Sequence, residues 1–181
     1  MSQFNLSELD VSSTKSLDLA FSISDIRQLQ LLINKLTTTT PVVGSNTGSS
    51  SSSCNVISLD LSSNKLGDEG CKIIAQSLLS HASCTIGCLK LNNNKISDVG
   101  LRYLVDAVVE KAKSVARCSS TNSASSINSL SQLSILTLGD NLIGDSGVRY
   151  MCDKWLLSSS SDVPIEIIDI DLDGNVITDQ A

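Results

Sequence analysis

The sequence is poor in aromatic side chains and in proline, and it has almost no histidine. Phe, Trp and Tyr make up 3% of 181 residues, Pro occurs twice and His once. So few rings exclude a core built around large aromatics. The apolar content is mostly Leu, Ile and Val, which suits many thin, similar layers. A single His removes the commonest zinc sites and the usual general-base partnerships. There is no nucleophile-elbow pattern and no phosphate-binding glycine loop, so no catalytic or cofactor-binding residues are expected. No apolar run approaches the ~18 residues that span a bilayer, so no membrane partner is expected. The opening "MSQFNLSELD" has neither the basic nor the apolar segment of a signal peptide. The six cysteines (54, 71, 84, 88, 118 and 152) are therefore read as thiols in a reducing, cytoplasmic compartment. Charge is mildly acidic, with 13 Lys and Arg against 19 Asp and Glu, formally −6. That balance argues against a nucleic-acid partner, which wants a basic face.

What the chain does have is a repeat. Four segments align without gaps on an Asn at 64, 94, 141 and 175. Leu59 and Leu61 precede Asn64; Leu66, Asp68 and Gly70 follow it. The same offsets give Leu89, Leu91, Ile96, Asp98 and Gly100, then Leu136, Leu138, Ile143, Asp145 and Gly147. In the last segment they give Ile170, Leu172, Ile177, Asp179 and Ala181. An alternating Leu-x-Leu pair is a short strand with one buried face. An Asn after it can satisfy turn backbone groups hidden from water. The Asp is placed as an N-cap of the helix that follows. Apolar residues at i, i+3, i+4 and i+7 then mark one buried helix face: Cys71, Ile74, Ala75 and Leu78; Leu101, Leu104, Val105 and Val108; Val148, Met151, Cys152 and Trp155. Each unit therefore reads strand, turn, helix.

"LDLSSNKLGDEGCKIIAQSL" and its copies resemble leucine-rich repeats of the ribonuclease-inhibitor-like class, over residues ~55 to 181. The resemblance implies an α/β solenoid with a parallel sheet on the concave side and helices on the convex side. It also implies a protein-binding role. The whole chain, 1–181, is read as one such domain of about five units, with repeats starting at 56, 86, 133 and 167. Residues 16–36 form a degenerate first unit. Leu17 and Leu19 are its strand pair, Ser22 replaces the Asn, and Asp25 opens a helix bearing Ile26, Leu29, Ile33 and Leu36. Its turn is one residue short. Residues 6–11 are read as a strand fragment covering that end of the stack.

The anchors recur at steps of 30, 47 and 34 residues, against about 28–29 for the class. The surplus falls in Ser-rich inserts at 37–55, 113–132 and 158–164, between helix ends and following strands. The last unit stops before its helix, which points to a fragment of a longer repeat protein.

"DIDLDGNVITDQ" (169–180) matches most of a calcium loop, but Gln180 stands where a bidentate Glu is needed, and a strand precedes it instead of a helix. Its Asn175 and Asp179 are repeat anchors, so no metal site is read there. His81, Cys84 and Cys88 lack a fourth ligand and regular zinc spacing. The functional candidates are the outward strand positions: Ser16, Asp18, Ser58, Asp60, Cys88, Lys90, Ile135, Thr137, Asp169 and Asp171, with Asn92 and Asp173 just beyond. Apart from Lys90 the row is neutral or acidic, which suits a protein with a basic surface bound by a monomer. Two alternatives stand beside this. One is a GTPase-activating protein resembling the Ran regulator, which is expected to place an exposed Arg in a loop near the start of the sheet. Arg27, Arg102 and Arg149 fall on predicted helices and Arg117 in an insert. The other is the repeat tail of a larger immune-receptor-like or cytoskeletal regulator.

Overall fold

The computed structural model describes residues 9, 11, 14–37, 56–81, 84–119, 133–159 and 167–179. Five three-residue strands alternate with helices: β1 (Ser16–Asp18), α1 (Ile26–Thr37), β2 (Ser58–Asp60), α2 (Gly67–Ile73), β3 (Cys88–Lys90), α3 (Asp98–Ser119), β4 (Ile135–Thr137), α4 (Asp145–Ser159) and β5 (Asp169–Asp171). A π-helical stretch, Ile74–Leu79, continues α2. The strands form one parallel sheet in the order β1-β2-β3-β4-β5. Parallel neighbours need a crossover, and each helix supplies it.

Register is uniform. Leu17, Leu59, Leu89, Leu136 and Ile170 are mutual partners across the sheet. Leu19, Leu61, Leu91 and Leu138 follow one layer deeper and are buried. Ile23, Leu66, Ile96 and Ile143 close each turn, and the buried helix faces complete the core. Each fully buried Leu or Ile contributes about 1.5–3 kcal/mol, and no single residue dominates such a stack. In α1, Leu29, Leu32, Ile33 and Leu36 are buried.

Helix faces mostly follow the predicted spacing, but in α3 the expected Val108 is half-buried and Val109 is buried instead, and two further departures have a clear cause. The π-helical stretch spaces residues so that Leu78 and Leu79 are both buried; the 3.6 period assigns only Leu78. Ser80 accordingly places both its N–H and its Oγ on the Ala75 carbonyl, five residues back. Cys152 was expected inside and is exposed. Its counterparts Ala75 and Val105 are buried, each on a helix packed against the one that follows it, as α2 and α3 are packed against α3 and α4. No described helix lies on that flank of α4. Val148 and Trp155 are half-buried for the same reason.

The insert boundaries also shift. Helix α3 runs to Ser119 and α4 to Ser159, so residues 113–119 and 158–159 are helical. Arg117 thus lies on a helix. The remainder of the three Ser-rich segments, apart from Thr37 at the end of α1, lies outside the described residues. Of residues 6–11, Leu9 and Val11 are described. Both pack half-buried against the core, and neither is in a strand.

The Asn anchors form a ladder. Asn94 Oδ1 accepts the N–H groups of Asn64 (3.0 Å) and Leu66 (3.2 Å), and its Nδ2 donates to the Leu61 and Asn92 carbonyls. Asn141 repeats this towards Asn94 and Ile96 at 2.9 and 3.0 Å. Asn64 serves Ile23 and Leu19, and Asn175 serves Ile143 and Leu138.

The conserved-offset Asp does not cap its own helix. Asp68 lies inside the first turn of α2, which has no side-chain cap. Its Oδ1 accepts the N–H groups of Ser97 (2.8 Å) and Gly100 (3.0 Å), and its Oδ2 accepts the Ser97 hydroxyl (2.7 Å). Asp98 reaches Gly144 N–H and the Ser146 hydroxyl in the same way. Asp145 reaches the N–H and hydroxyl of Thr178. Each carboxylate therefore caps the next unit, satisfying donors that are left free there. Only Asp25 caps locally, on Gln28 N–H at 2.9 Å.

This explains the glycines. A Cβ on Gly100 would sit 2.6 Å from Asp68 Oδ1, and one on Gly147 would sit 2.5 Å from Asp98 Oδ1. The carboxylate occupies the space that a side chain would need.

Candidate interaction face

Alternation along five strands leaves two outward rows on the concave sheet. One is Ser16, Ser58, Cys88, Ile135 and Asp169; the other is Asp18, Asp60, Lys90, Thr137 and Asp171. The structure brings all ten together, in register, at the ~4.8 Å spacing of paired strands. Asp18 and Asp169 are exposed, and the central members are half-buried. The sole strand cation, Lys90, lies 3.6 Å from Asp60, with side chains 45% and 21% exposed. That pair is solvent-screened and weak. The row's one positive charge thus sits beside one of its carboxylates, and the rest of the charge there is negative.

Several of these carboxylates also hold the adjoining turn. Asp18 accepts Ala20 N–H, Asp60 accepts Ser62 N–H and Asp171 accepts Asp173 N–H. Each uses Oδ1 for this, and Oδ2 of Asp60 faces Lys90. Asn92, just beyond the rows, also accepts Gly139 N–H from the next unit with its Oδ1. It is a turn holder at the edge of the face. The Thr137 hydroxyl is enclosed and has no partner among the described residues.

The acidic character is greatest at the β5 end, where Asp169, Asp171 and Asp173 follow one another and Asp140 packs against Gly174. Among the described residues, no three His, Cys, Asp or Glu side chains converge as metal ligands. His81 is exposed beyond the π-helical stretch. Cys84 is buried and Cys88 lies on the sheet. Burial pushes the Cys71 thiol far up, and the nearby Asp68 adds to it.

A third row runs along the rim of the face and was not visible in the sequence. The residue before each anchor (Phe21, Ser63, Asn93, Asp140 and Gly174) has positive φ. Only the last is glycine, so the signal expected for a left-handed turn is mostly missing. What enforces the conformation is backbone pairing between units. Phe21, Ser63, Asn93 and Asp140 donate in turn to Ser62, Asn92, Gly139 and Asp173.

All four arginines lie on helices: 27 on α1, 102 and 117 on α3, 149 on α4. None is in a loop near the start of the sheet. On the convex side, Tyr150 donates to Asp106 at 2.6 Å and lies between Arg102 and Lys154. That hydrogen bond to Asp106 is the chief cause that raises the pKa of Tyr150. The hydrogen bond with Tyr150 likewise raises that of Lys154. The group ties α3 to α4.

A family model described as Leucine Rich repeat matches residues 52–75 and 82–105. Comparison with curated proteins found no match. With five parallel strands alternating with helices, the fold is a leucine-rich-repeat α/β solenoid. Repeats of this kind generally mediate protein–protein interaction. No described helix is long and apolar enough to cross a membrane.

Proposed function

We propose that the chain is a cytoplasmic, monomeric protein-interaction module of the ribonuclease-inhibitor-like class. Its concave sheet binds a protein that presents a basic surface. One observation carries the reading: ten outward side chains in strict register form a face whose only cation is already paired with Asp60. The strand–turn–helix unit with an Asn anchor supports the finer class assignment. Electrostatic complementarity of this sort sets partner choice and on-rate more than affinity.

Exchanging the charges of the pair (Asp60→Lys with Lys90→Asp) keeps the ion pair but moves the positive charge along the face. Combining this with Asp169→Lys and Asp171→Lys reverses the field. The test is affinity capture with mass-spectrometric identification, comparing native protein, the concave variant and a convex control, Glu110→Lys. The expected result is a set of captured basic proteins that the control retains and the concave variant loses, with circular dichroism unchanged. Equal capture by all three sinks the reading.

A further inference from the structure

At three of the four unit junctions a carboxylate crosses to the next unit. The first junction has none. Asp25 turns back onto Gln28 N–H, and Gln28 Oε1 accepts Ser24 N–H at 3.0 Å. The first turn is also one residue shorter. The counterpart of Gly100 and Gly147 here is Gly70, whose added Cβ would meet the Leu66 side chain at 2.5 Å and no carboxylate. A hollow of about 370 Å³ lies at this junction, lined by Phe21, Ile23, Ile26 and Leu66 with Ser24, Asp25, Ser63 and Lys65 at its polar parts. A volume at the lower end of ligand-pocket sizes takes one or two side chains.

Phe21 is the bulkiest residue of the positive-φ rim and lines the same place. It is 82% exposed and held at φ 57°. A bulky residue in that region is strained, and such strain concentrates at functional sites. Next to Phe21, the Ala20 N–H donates to Asp18, whose side chain is exposed.

We infer that this hollow takes a leucine-like side chain from the bound protein, with a basic residue next to it facing Asp18. The inference rests on the concave-face reading, because the hollow lies at the rim of that sheet. Apolar anchors in pockets carry most interface energy, and the flanking charge adds selectivity.

The test uses small probes and so does not need the partner. N-acetyl-leucinamide, N-acetyl-arginyl-leucinamide and N-acetyl-glutamyl-leucinamide are titrated to about 10 mM, above the millimolar dissociation constants expected of such fragments. Binding is followed by NMR amide shifts. The expected result is saturable shifts at Ile23, Ile26 and Leu66, with the arginyl probe about threefold tighter than the glutamyl probe at low salt. Ser24→Trp fills the hollow and abolishes the shifts. Phe21→Gly relieves the backbone, so its melting temperature holds or rises while probe binding weakens by about threefold or more. Shifts elsewhere, no shifts, or binding unaffected by both variants overturn the inference. Any of these outcomes leaves the capture experiment above to judge the concave face by itself.

Discussion

Asn94 is buried and uses both ends of its amide. The oxygen serves two N–H groups of the unit before it, and the nitrogen serves two carbonyls. Removing it by Asn94→Ala orphans several buried backbone groups at about 1–3 kcal/mol each, so a total loss of about 3 kcal/mol or more is expected in urea unfolding. Asn94→Asp is the more informative change. Its carboxylate still accepts from Asn64 and Leu66, but it then faces the Leu61 and Asn92 carbonyls. Burial and those carbonyls disfavour the ionised form, which raises the native pKa above the unfolded value near 4. The stability of this variant should therefore fall as pH rises from about 4 to 7. Urea midpoints that stay flat over that range contradict the ladder geometry.

At the scale of the element, the fit between helices is set by one carboxylate and one missing side chain. Gly100→Ala forces its Cβ against Asp68 Oδ1 and Ile96 Cγ2. It should be destabilising, and less so when Asp68→Ala has already opened the space. A double-mutant cycle is expected to show coupling of about 1 kcal/mol, the worth of partly exposed charge-assisted hydrogen bonds. The remaining penalty comes from Ile96. The strands, the Asn anchors, the buried helix faces and the outward rows were all legible from alternation and offset, because burial imposes a period on the sequence. The direction of the Asp was not. A carboxylate in a first helical turn looks the same whether it caps its own helix or the next. Cys152 was misplaced because periodicity reports a face, while burial depends on a neighbour. The Phe21 rim and the hollow beneath it escaped notice because backbone pairing between units sets them, and no residue type announces that.

Over the whole molecule, the staples are unevenly distributed, and acid should reveal this. Burial works against ionising Asp98, but hydrogen bonds from Ser146, Gly144 and Gly147, with Arg102 nearby, outweigh it and lower its pKa. Hydrogen bonds from the Thr178 hydroxyl and N–H lower that of Asp145. A carboxyl with a depressed native pKa stabilises the fold above its unfolded pKa, and that contribution is lost as pH falls through the native value. Melting temperature should thus be level from pH 7 to about 5 and drop below about 4. Hydrogen exchange in that acid range should lose protection first around β4 and β5, where both staples act, and later at β1 and β2, whose junction has none. Simultaneous loss along the chain contradicts unit-by-unit coupling. The ladder also has a direction, since the oxygen of each anchor Asn (64, 94, 141 and 175) accepts from the unit made before it. On a ribosome, each newly emerged repeat finishes its predecessor while its own turn donors wait for the next. The nascent chain thus carries a single unfinished seam that advances with synthesis.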